Sequence, residues 1–342
     1  MTDRPETVVA RLLAELTLPS QLGAAQAPDT LRAKVFRAVR RATCSPAAPP
    51  AQPSTSALPD AAAPYAEQVR CMAELLGAPD ISSTREVVHG WSVRDTLAHL
   101  VAVDGQAAEA LSLGLNTLPE TGTAVGPSGD PVGSASPEQV VLARTRAVQD
   151  LHAGRPLAEL IPVWLAQAEA LLRHAAAQGT TGTARQVSYL GLPLTVADVL
   201  LDRAFETWIH AEDLRAAIGL PASPPPAGHL HLMSDLGIRM IGPVLAGLLA
   251  TGLPVPAGQV RVVLTGDGGG SWDVTAPSGP GASDRVQAQA AAQARATITL
   301  TTIDFCYLAG GRLGVHTVRH DSDGDPDLVR ATLVATATLA RP

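Results

Sequence analysis

Apolar side chains recur every three to four positions through the middle of the chain, which is the period of an amphipathic helix. Two helix starts carry near matches to a capping box, since Ser92 and Thr195 are each followed three residues later by an aspartate. Elements of this kind favour a helical bundle. The pattern predicts helices at Tyr65–Leu76, Ser92–Leu113, Pro137–Ala153, Leu157–Gln178 and Thr195–Ile218.

A different pattern follows the proline-rich stretch from Pro221 to Pro226. Short alternating runs there predict strands, and longer periodic runs predict helices. The glycine-rich segment Gly266–Gly270 is predicted to be a hairpin turn and not a phosphate cradle, because a second strand follows it. The predicted order is a helix at Leu230–Leu249, strands at Gln259–Thr265, Ser271–Ala276 and Ala296–Leu300, and helices at Asp304–Leu308 and Asp327–Leu339.

These patterns predict an α+β protein that is mainly helical, with four segments. Residues 1–44 form a short helical appendage, and residues 45–63 form a linker rich in Pro, Ala and Ser that has no large apolar side chains to bury. Residues 64–220 form the bundle, and residues 228–342 form an α+β domain. No internal repeat is predicted.

The composition of the chain argues against several classes of function. A net charge of −7 argues against nucleic-acid binding, so the basic cluster at Arg32–Arg41 is interpreted as a solvated helix face. Cys44, Cys71 and Cys306 form no CxxC pair, which favours a reducing compartment. The chain shows no signal-peptide pattern and no run of eighteen apolar residues. We therefore expect a cytoplasmic protein without a nucleic-acid or membrane partner.

The predicted helix from Thr195 to Ile218 carries a candidate site. Glu206 and His210 are four residues apart, so their side chains share one helix face. Asp202 and Asp213 extend this polar stripe, which apolar residues flank on both sides. The stripe is therefore predicted to face inward.

Two charged residues outside this stripe, Glu212 and Arg215, are expected to form the solvent edge of the same helix. A buried carboxylate and imidazole need partners, and a divalent metal is one. An ion-pair network with Arg203 is the alternative. His99, in Trp91–Leu100, is a candidate third ligand, although a lone histidine on an apolar face is ordinarily a core residue.

Three segments resemble the mycothiol-dependent maleylpyruvate isomerase family: Trp91–Leu100, the Glu206-x-x-x-His210-x-x-Asp213-Leu214-Arg215 stretch, and Ala296–Arg312. The resemblance covers about residues 62 to 342. It implies a DinB-like four-helix bundle that binds a metal, followed by a small α+β domain with a sterol-carrier-like fold.

The resemblance also implies roles for single residues. His99, Glu206 and His210 correspond to the metal ligands of the family, and zinc is the expected metal, with nickel and iron as alternatives. Arg312 corresponds to a functional arginine of the C-terminal domain, where it could clamp a substrate carboxylate. A surface arginine that closes a helix end is the alternative for this residue.

These roles lead to a functional hypothesis. Two histidines and one carboxylate leave an open position on tetrahedral zinc. The resemblance implies mycothiol as a thiol cosubstrate, whose metal-bound thiolate attacks a small-molecule electrophile, in an isomerase of maleylpyruvate type or a thiol S-transferase. Asp202 or Asp213 could orient a ligand histidine. Two alternatives remain: a non-enzymatic metal-sensing, thiol-sensing or ligand-binding protein that acts through a partner, and metal-assisted hydrolysis.

A second His and Asp cluster is set aside. His316 and His320 are four residues apart and precede an acidic run, but Pro326 and Thr332 occupy positions where an EF-hand loop needs glycine and glutamate. This segment is predicted to be a solvated loop before the last helix.

Overall fold

The computed structural model describes residues 58–78, 81–115, 137–277 and 294–340. The predicted appendage at residues 1–44 and most of the predicted linker lie outside these ranges. The described residues belong to two compact units, with the division between Pro225 and Pro226.

The first unit is a helical bundle whose elements pack around a core of leucine, valine and alanine. α2 packs against α3, α4 and α5, and α1 packs against α4 and α5. Trp164 and Trp208 fill the centre of this core, each almost fully buried. The helices are α1 (Leu58–Leu76), α2 (Val93–Ala110), α3 (Pro137–Leu151), α4 (Leu157–Thr183) and α5 (Val196–Ala217).

Helix α1 begins inside the segment that was predicted as linker, so that boundary was wrong. Pro59 lies in the first turn, where a helix needs no backbone donor, and the alanines at 61–63 have high helix propensity. Pro64 lies within the helix and removes one backbone hydrogen bond. The prolines of this segment therefore do not mark a linker along its whole length.

Two short β-hairpins precede the helices α2 and α5, and the sequence analysis missed both. β1 (Glu86–Val88) pairs with β2 (Trp91–Ser92), and β3 (Gln186–Tyr189) pairs with β4 (Leu192–Thr195). Both turns have a residue followed by glycine in the left-handed region, which matches the twist of a tight hairpin. The φ values are 56° and 75° for His89 and Gly90, and 52° and 76° for Leu190 and Gly191.

Each hairpin runs directly into a helix that starts with a complete capping box. The hydroxyl of Ser92 accepts from the backbone N–H of Asp95 at 3.2 Å, and that of Thr195 accepts from Asp198 at 3.1 Å. The carboxylates of both aspartates accept in return from the N-cap backbone. Both predicted caps are confirmed. The arrangement of hairpin, cap and helix thus occurs twice, a repetition that the sequence analysis did not detect.

The described residues of the second unit form one mixed sheet and three helices. β5 pairs antiparallel with β6 and parallel with β7, and β8 pairs antiparallel with β7. α6 packs against α8 and β6. The turn at Gly266–Gly270 joins two antiparallel strands, as predicted. The elements are α6 (Ala227–Ala250), β5 (Gly258–Thr265), β6 (Gly270–Ala276), β7 (Ala294–Thr301), α7 (Thr302–Ala309), β8 (Asp321–Gly324) and α8 (Pro326–Thr338). The predicted class, α+β and mainly helical, is confirmed.

The acidic segment before the last helix is an edge strand, β8, and not the predicted solvated loop. Its backbone pairs with β7, while all four residues remain exposed. Its composition is therefore that of a loop although its backbone is a strand, as is common for charged sheet edges.

Among the described residues, α6 alone is long and apolar enough to cross a membrane, judged by length and composition. Half of the apolar stretch of this helix is buried within the fold, and core helices of soluble proteins can have the same length and composition. Asp235 and Arg239 interrupt this helix, so it contains no run of eighteen apolar residues.

Candidate metal centre

Helix α2 carries His99 into the bundle core. His99 is 1% exposed, and its Nδ1 lies 3.0 Å from the hydroxyl oxygen of Thr145 on α3. The other ring nitrogen, Nε2, is buried and has no hydrogen-bond partner among the described residues. A buried nitrogen without a partner is costly unless a further ligand satisfies it. His99 is therefore oriented on one side and open to a ligand on the other.

Helix α5 supplies the other two candidate ligands. Glu206 and His210 lie one turn apart and are both largely buried. Nδ1 of His210 lies 3.1 Å from a carboxylate oxygen of Asp213. Each histidine of the cluster thus has its Nδ1 held by an oxygen atom, the arrangement that usually orients a metal-ligating imidazole.

The three side chains converge on one point. Nε2 of His99 and Nε2 of His210 each lie 3.8 Å from the same carboxylate oxygen of Glu206. One ligand atom from each residue can be chosen so that all lie within 4.8 Å of one another. Separations of 3.8 Å are too long for hydrogen bonds. They are close to the roughly 3.4 Å between two ligands of a tetrahedral ion with bonds of about 2.0–2.1 Å. These residues fit a divalent metal.

The protonation states suit a cation. Burial lowers the pKa of His99 to about 4, so its imidazole is neutral at pH 7. Burial alone would raise the pKa of Glu206, but the adjacent His99 ring and the charge of Arg203 outweigh burial and lower this pKa to about 2. A neutral imidazole and an ionised carboxylate are the forms that bind metal.

Arg203 was the predicted alternative partner of the cluster, and the structure shows where its charge is neutralised. Its Nε donates to Asp104 at 2.8 Å, and its Nη1 lies 3.5 Å from Asp202. Asp104 also accepts from the hydroxyl of Tyr65 at 2.7 Å and from the indole N–H of Trp164 at 2.9 Å. A buried ion-pair network therefore exists, and its centre is Asp104.

Asp202 and Asp213 were the two residues predicted to orient a ligand histidine. Asp213 contacts Nδ1 of His210, and its predicted role in orienting this ring stays a prediction. Asp202 lies beside Arg203, and its predicted role in orienting a histidine stays a prediction. Sequence reasoning missed Thr145 and Asp104, which lie on helices far from Glu206 in the chain and match no ligand spacing.

The predicted solvent edge of α5 is wrong for Glu212. This side chain is buried and accepts from the backbone N–H of Ser223 at 3.0 Å, because the chain after α5 folds back over it. Arg215 remains partly exposed and lies 3.8 Å from Glu212. The inward face of α5 is consequently wider than the periodicity predicted.

An aromatic side chain covers His99. The centroids of the Trp91 and His99 rings are 5.1 Å apart, and the two ring planes are tilted by 41°. The His89 and Trp91 rings meet edge to face, with their centroids 6.1 Å apart. Both residues belong to the hairpin of β1 and β2, so this hairpin forms one wall of the site.

Arg312 lies in the second unit, just after α7. Its guanidinium donates to the carbonyl of Gly310. Its role in binding a substrate carboxylate stays a prediction.

The bundle with its buried histidine and glutamate cluster is a helical domain with a candidate metal centre. Residues 62–215 match the family model described as the mycothiol maleylpyruvate isomerase N-terminal domain. The match confirms, for this part of the chain, the resemblance that was identified from sequence.

Other comparisons extend beyond this domain. Two uncharacterized proteins from two strains of Mycobacterium tuberculosis are each 26% identical over 257 residues, which is 74% of this chain and 84% of the relatives. Crystal structures of the mycothiol-dependent maleylpyruvate isomerase and of a histidine-to-alanine mutant are 15% identical. They cover 79% of this chain and 95% of theirs, with TM-scores of 0.44 and 0.46.

Proposed function

We propose that this protein is a metal-dependent enzyme that uses mycothiol to transform a small electrophilic molecule. The reaction is isomerisation of the maleylpyruvate type or transfer of the thiol to the electrophile. The observation that carries the proposal is the convergence of His99, Glu206 and His210 inside a domain of this family.

His99, Glu206 and His210 would hold the metal, which we propose to be zinc. A bound divalent metal lowers the pKa of a coordinated thiol and so supplies a thiolate at neutral pH. Thr145 and Asp213 hold the Nδ1 atoms of the two histidines, so that both Nε2 atoms face Glu206. Three protein ligands leave room for one more, which an incoming thiol requires.

The surroundings of the cluster exclude most water. His99 is 1% exposed and Glu206 is 9% exposed, and Trp91 packs against the His99 ring. Charge interactions are stronger in such a setting than in water. A divalent cation bound here would therefore attract a thiolate more strongly than in water, which would offset the cost of burying the thiolate charge.

Arg312 is proposed to bind a carboxylate of the electrophile, because a guanidinium presents two parallel N–H donors to a carboxylate. An Arg312→Lys variant keeps the charge and loses this geometry. We expect a higher KM for a carboxylate substrate with a smaller change for an uncharged electrophile. An equal effect on both substrates would contradict this role.

The main experiment measures metal content and thiol-dependent turnover of the full chain. The protein is loaded with zinc, nickel or iron and assayed for maleylpyruvate isomerisation and for conjugation of an uncharged electrophile, with and without mycothiol. We expect one metal ion per chain and turnover only with mycothiol. His210→Ala should lose both, and His316→Ala, an exposed histidine of the second unit, should lose neither.

Two outcomes would contradict the proposal. Absence of stoichiometric metal in protein refolded or loaded with each ion would remove the metal centre. Turnover that does not depend on added thiol would instead support metal-assisted hydrolysis.

A further inference from the structure

The two helices that carry the candidate ligands are joined by a second, fully buried contact. Asp104 follows His99 on α2, and Arg203 precedes Glu206 on α5 by three residues, so it lies on the same face as Glu206. The Nε of Arg203 lies 2.8 Å from Asp104, and neither side chain is exposed. The ion pair thus lies next to the candidate metal centre and connects the same helices.

The guanidinium of Arg203 needs a carboxylate because it keeps its charge even when buried. Asp104 and Asp202 are its ion-pair partners among the described residues, at 2.8 and 3.5 Å. Its Nη2 is buried without a hydrogen-bond partner there, so this guanidinium still has an unused donor.

Hydrogen bonds from other helices hold the Asp104 carboxylate in place beside Arg203. Its Oδ2 accepts from Tyr65 on α1 and from Trp164 on α4, which leaves Oδ1 directed at Arg203. One carboxylate therefore has fixed contacts to three other helices. A carboxylate that is already fixed loses little conformational entropy on pairing, so it competes well for the guanidinium.

We propose that Asp104 is a positioning residue: by pairing with Arg203 it prevents an ion pair between Arg203 and Glu206, and so leaves Glu206 available to a divalent cation. This inference rests on the proposed metal centre. On this inference, Asp104 determines whether Glu206 acts as a metal ligand or pairs with a buried arginine.

The test measures Co²⁺ and Zn²⁺ affinity by chelator competition, together with the Co²⁺ absorption spectrum. Asp104→Asn removes the closer of the two carboxylates that pair with Arg203. We expect metal binding weakened by about 10–100-fold, as for other residues behind metal ligands. The double variant Asp104→Asn with Arg203→Met removes the competing charge as well. We expect its affinity to return to within about threefold of the native value, an expectation scaled to the usual error of additivity.

Two further variants keep the test decisive if Asp104→Asn folds poorly. Arg203→Met alone should bind metal as tightly as the native protein or more tightly, and a weakening of about tenfold or more would overturn the proposal. Tyr65→Phe removes an uncharged hydrogen bond to the same carboxylate. We expect this variant to be less stable with unchanged metal affinity, whereas a purely structural role would make metal affinity follow stability in all variants.

A crystal structure of metal-free Asp104→Asn gives a readout that does not depend on metal. We expect a guanidinium nitrogen of Arg203 within hydrogen-bond distance of the Glu206 carboxylate, and an unchanged Arg203 would overturn the inference. If the native protein and Asp104→Asn bind metal equally well, this result contradicts the role of Asp104 and leaves the proposed function intact. Native protein that binds no metal contradicts the proposed function, and the crystal structure still decides whether Asp104 controls the pairing of Arg203.

Discussion

The imidazole Nδ1 of His99 lies 3.0 Å from the hydroxyl oxygen of Thr145, a residue 46 positions away on another helix. When Nδ1–H donates to this hydroxyl, the lone pair of the ring is on Nε2, the atom that faces Glu206. The contact between α2 and α3 therefore fixes the orientation of a candidate ligand, and it leaves Nε2 able to bind a metal when the Thr145 hydroxyl accepts from Nδ1–H.

Replacing Thr145 with valine should weaken metal binding. Valine keeps the shape of threonine and removes the hydroxyl, so the His99 ring loses its partner at Nδ1. We expect affinity for Zn²⁺ to fall by about 10–100-fold, measured by chelator competition. Thr145→Ser keeps the hydroxyl and should bind metal nearly as tightly as the native protein. Equal loss in both variants would show that packing, and not the hydrogen bond, matters at this position.

Asp213 should support His210 in the same way through its charge. Asp213→Asn keeps an acceptor within reach of Nδ1 but removes the negative charge that makes the imidazole a stronger ligand. We expect weaker metal binding for Asp213→Asn and a larger loss for Asp213→Ala, each determined by calorimetric titration. Asp150→Asn changes an exposed aspartate of α3 and serves as the control. An unchanged affinity in Asp213→Ala would exclude the orienting role.

Acid should destabilise the metal-free protein through His99. The pKa of this residue is about 4 in the folded state against 6.5 ordinarily, because burial disfavours the charged form. Between these values the unfolded chain binds a proton that the folded chain does not. The free energy of unfolding should therefore fall as pH is lowered from 6.5 to 4, by at most about 1.4 kcal/mol per pH unit from this group.

Urea unfolding of chelator-treated protein at several pH values measures this slope. His99→Gln removes the titrating group, so its stability should fall less steeply over the same interval. Glu206 adds a further loss at lower pH, because its pKa of about 2 lies below the ordinary 4.5 and its ionised form stabilises the fold. Parallel stability profiles for the native protein and His99→Gln would contradict the assignment.

The cap of α2 should contribute measurably to stability. Ser92→Ala removes the side-chain acceptor for the backbone N–H of Asp95 and breaks the capping box. We expect a loss of about 1 kcal/mol in the free energy of unfolding, seen in urea denaturation. Ser82→Ala changes a serine outside any helix and should cost less. A loss as small as that of the control would mean that the Asp95 carboxylate alone maintains the helix start.

The bundle could be predicted from sequence because its signals are local. Periodic apolar positions indicated every long helix in the described part of the chain. Ser92 and Thr195 indicated two helix starts that the structure confirms. The hairpins were missed because strands as short as Trp91–Ser92 contain too few residues to show an alternating pattern. Helix α1 was shortened because prolines break helices only where a backbone donor is needed, a condition that composition does not reveal.

The candidate site was only partly predictable. Glu206 and His210 could be paired because they lie one helical turn apart, and His99 was added through family resemblance. Thr145 and Asp104 depend on which helices become neighbours, and no spacing along the chain encodes that. A carboxylate such as Asp104 is also normally expected at the surface, so its complete burial was not anticipated.

The two capped hairpins give the ligand-bearing helices fixed starting points, from which the positions of His99, Glu206 and His210 are counted. Changes of length before a hairpin leave the rotation of its helix unaltered. One residue inserted between Ser92 and His99 would turn the imidazole by about 100° and carry it away from Glu206. Sequence length is therefore constrained much more tightly between each cap and its ligands than before it, and insertions at these places should abolish metal binding even where the bundle still folds.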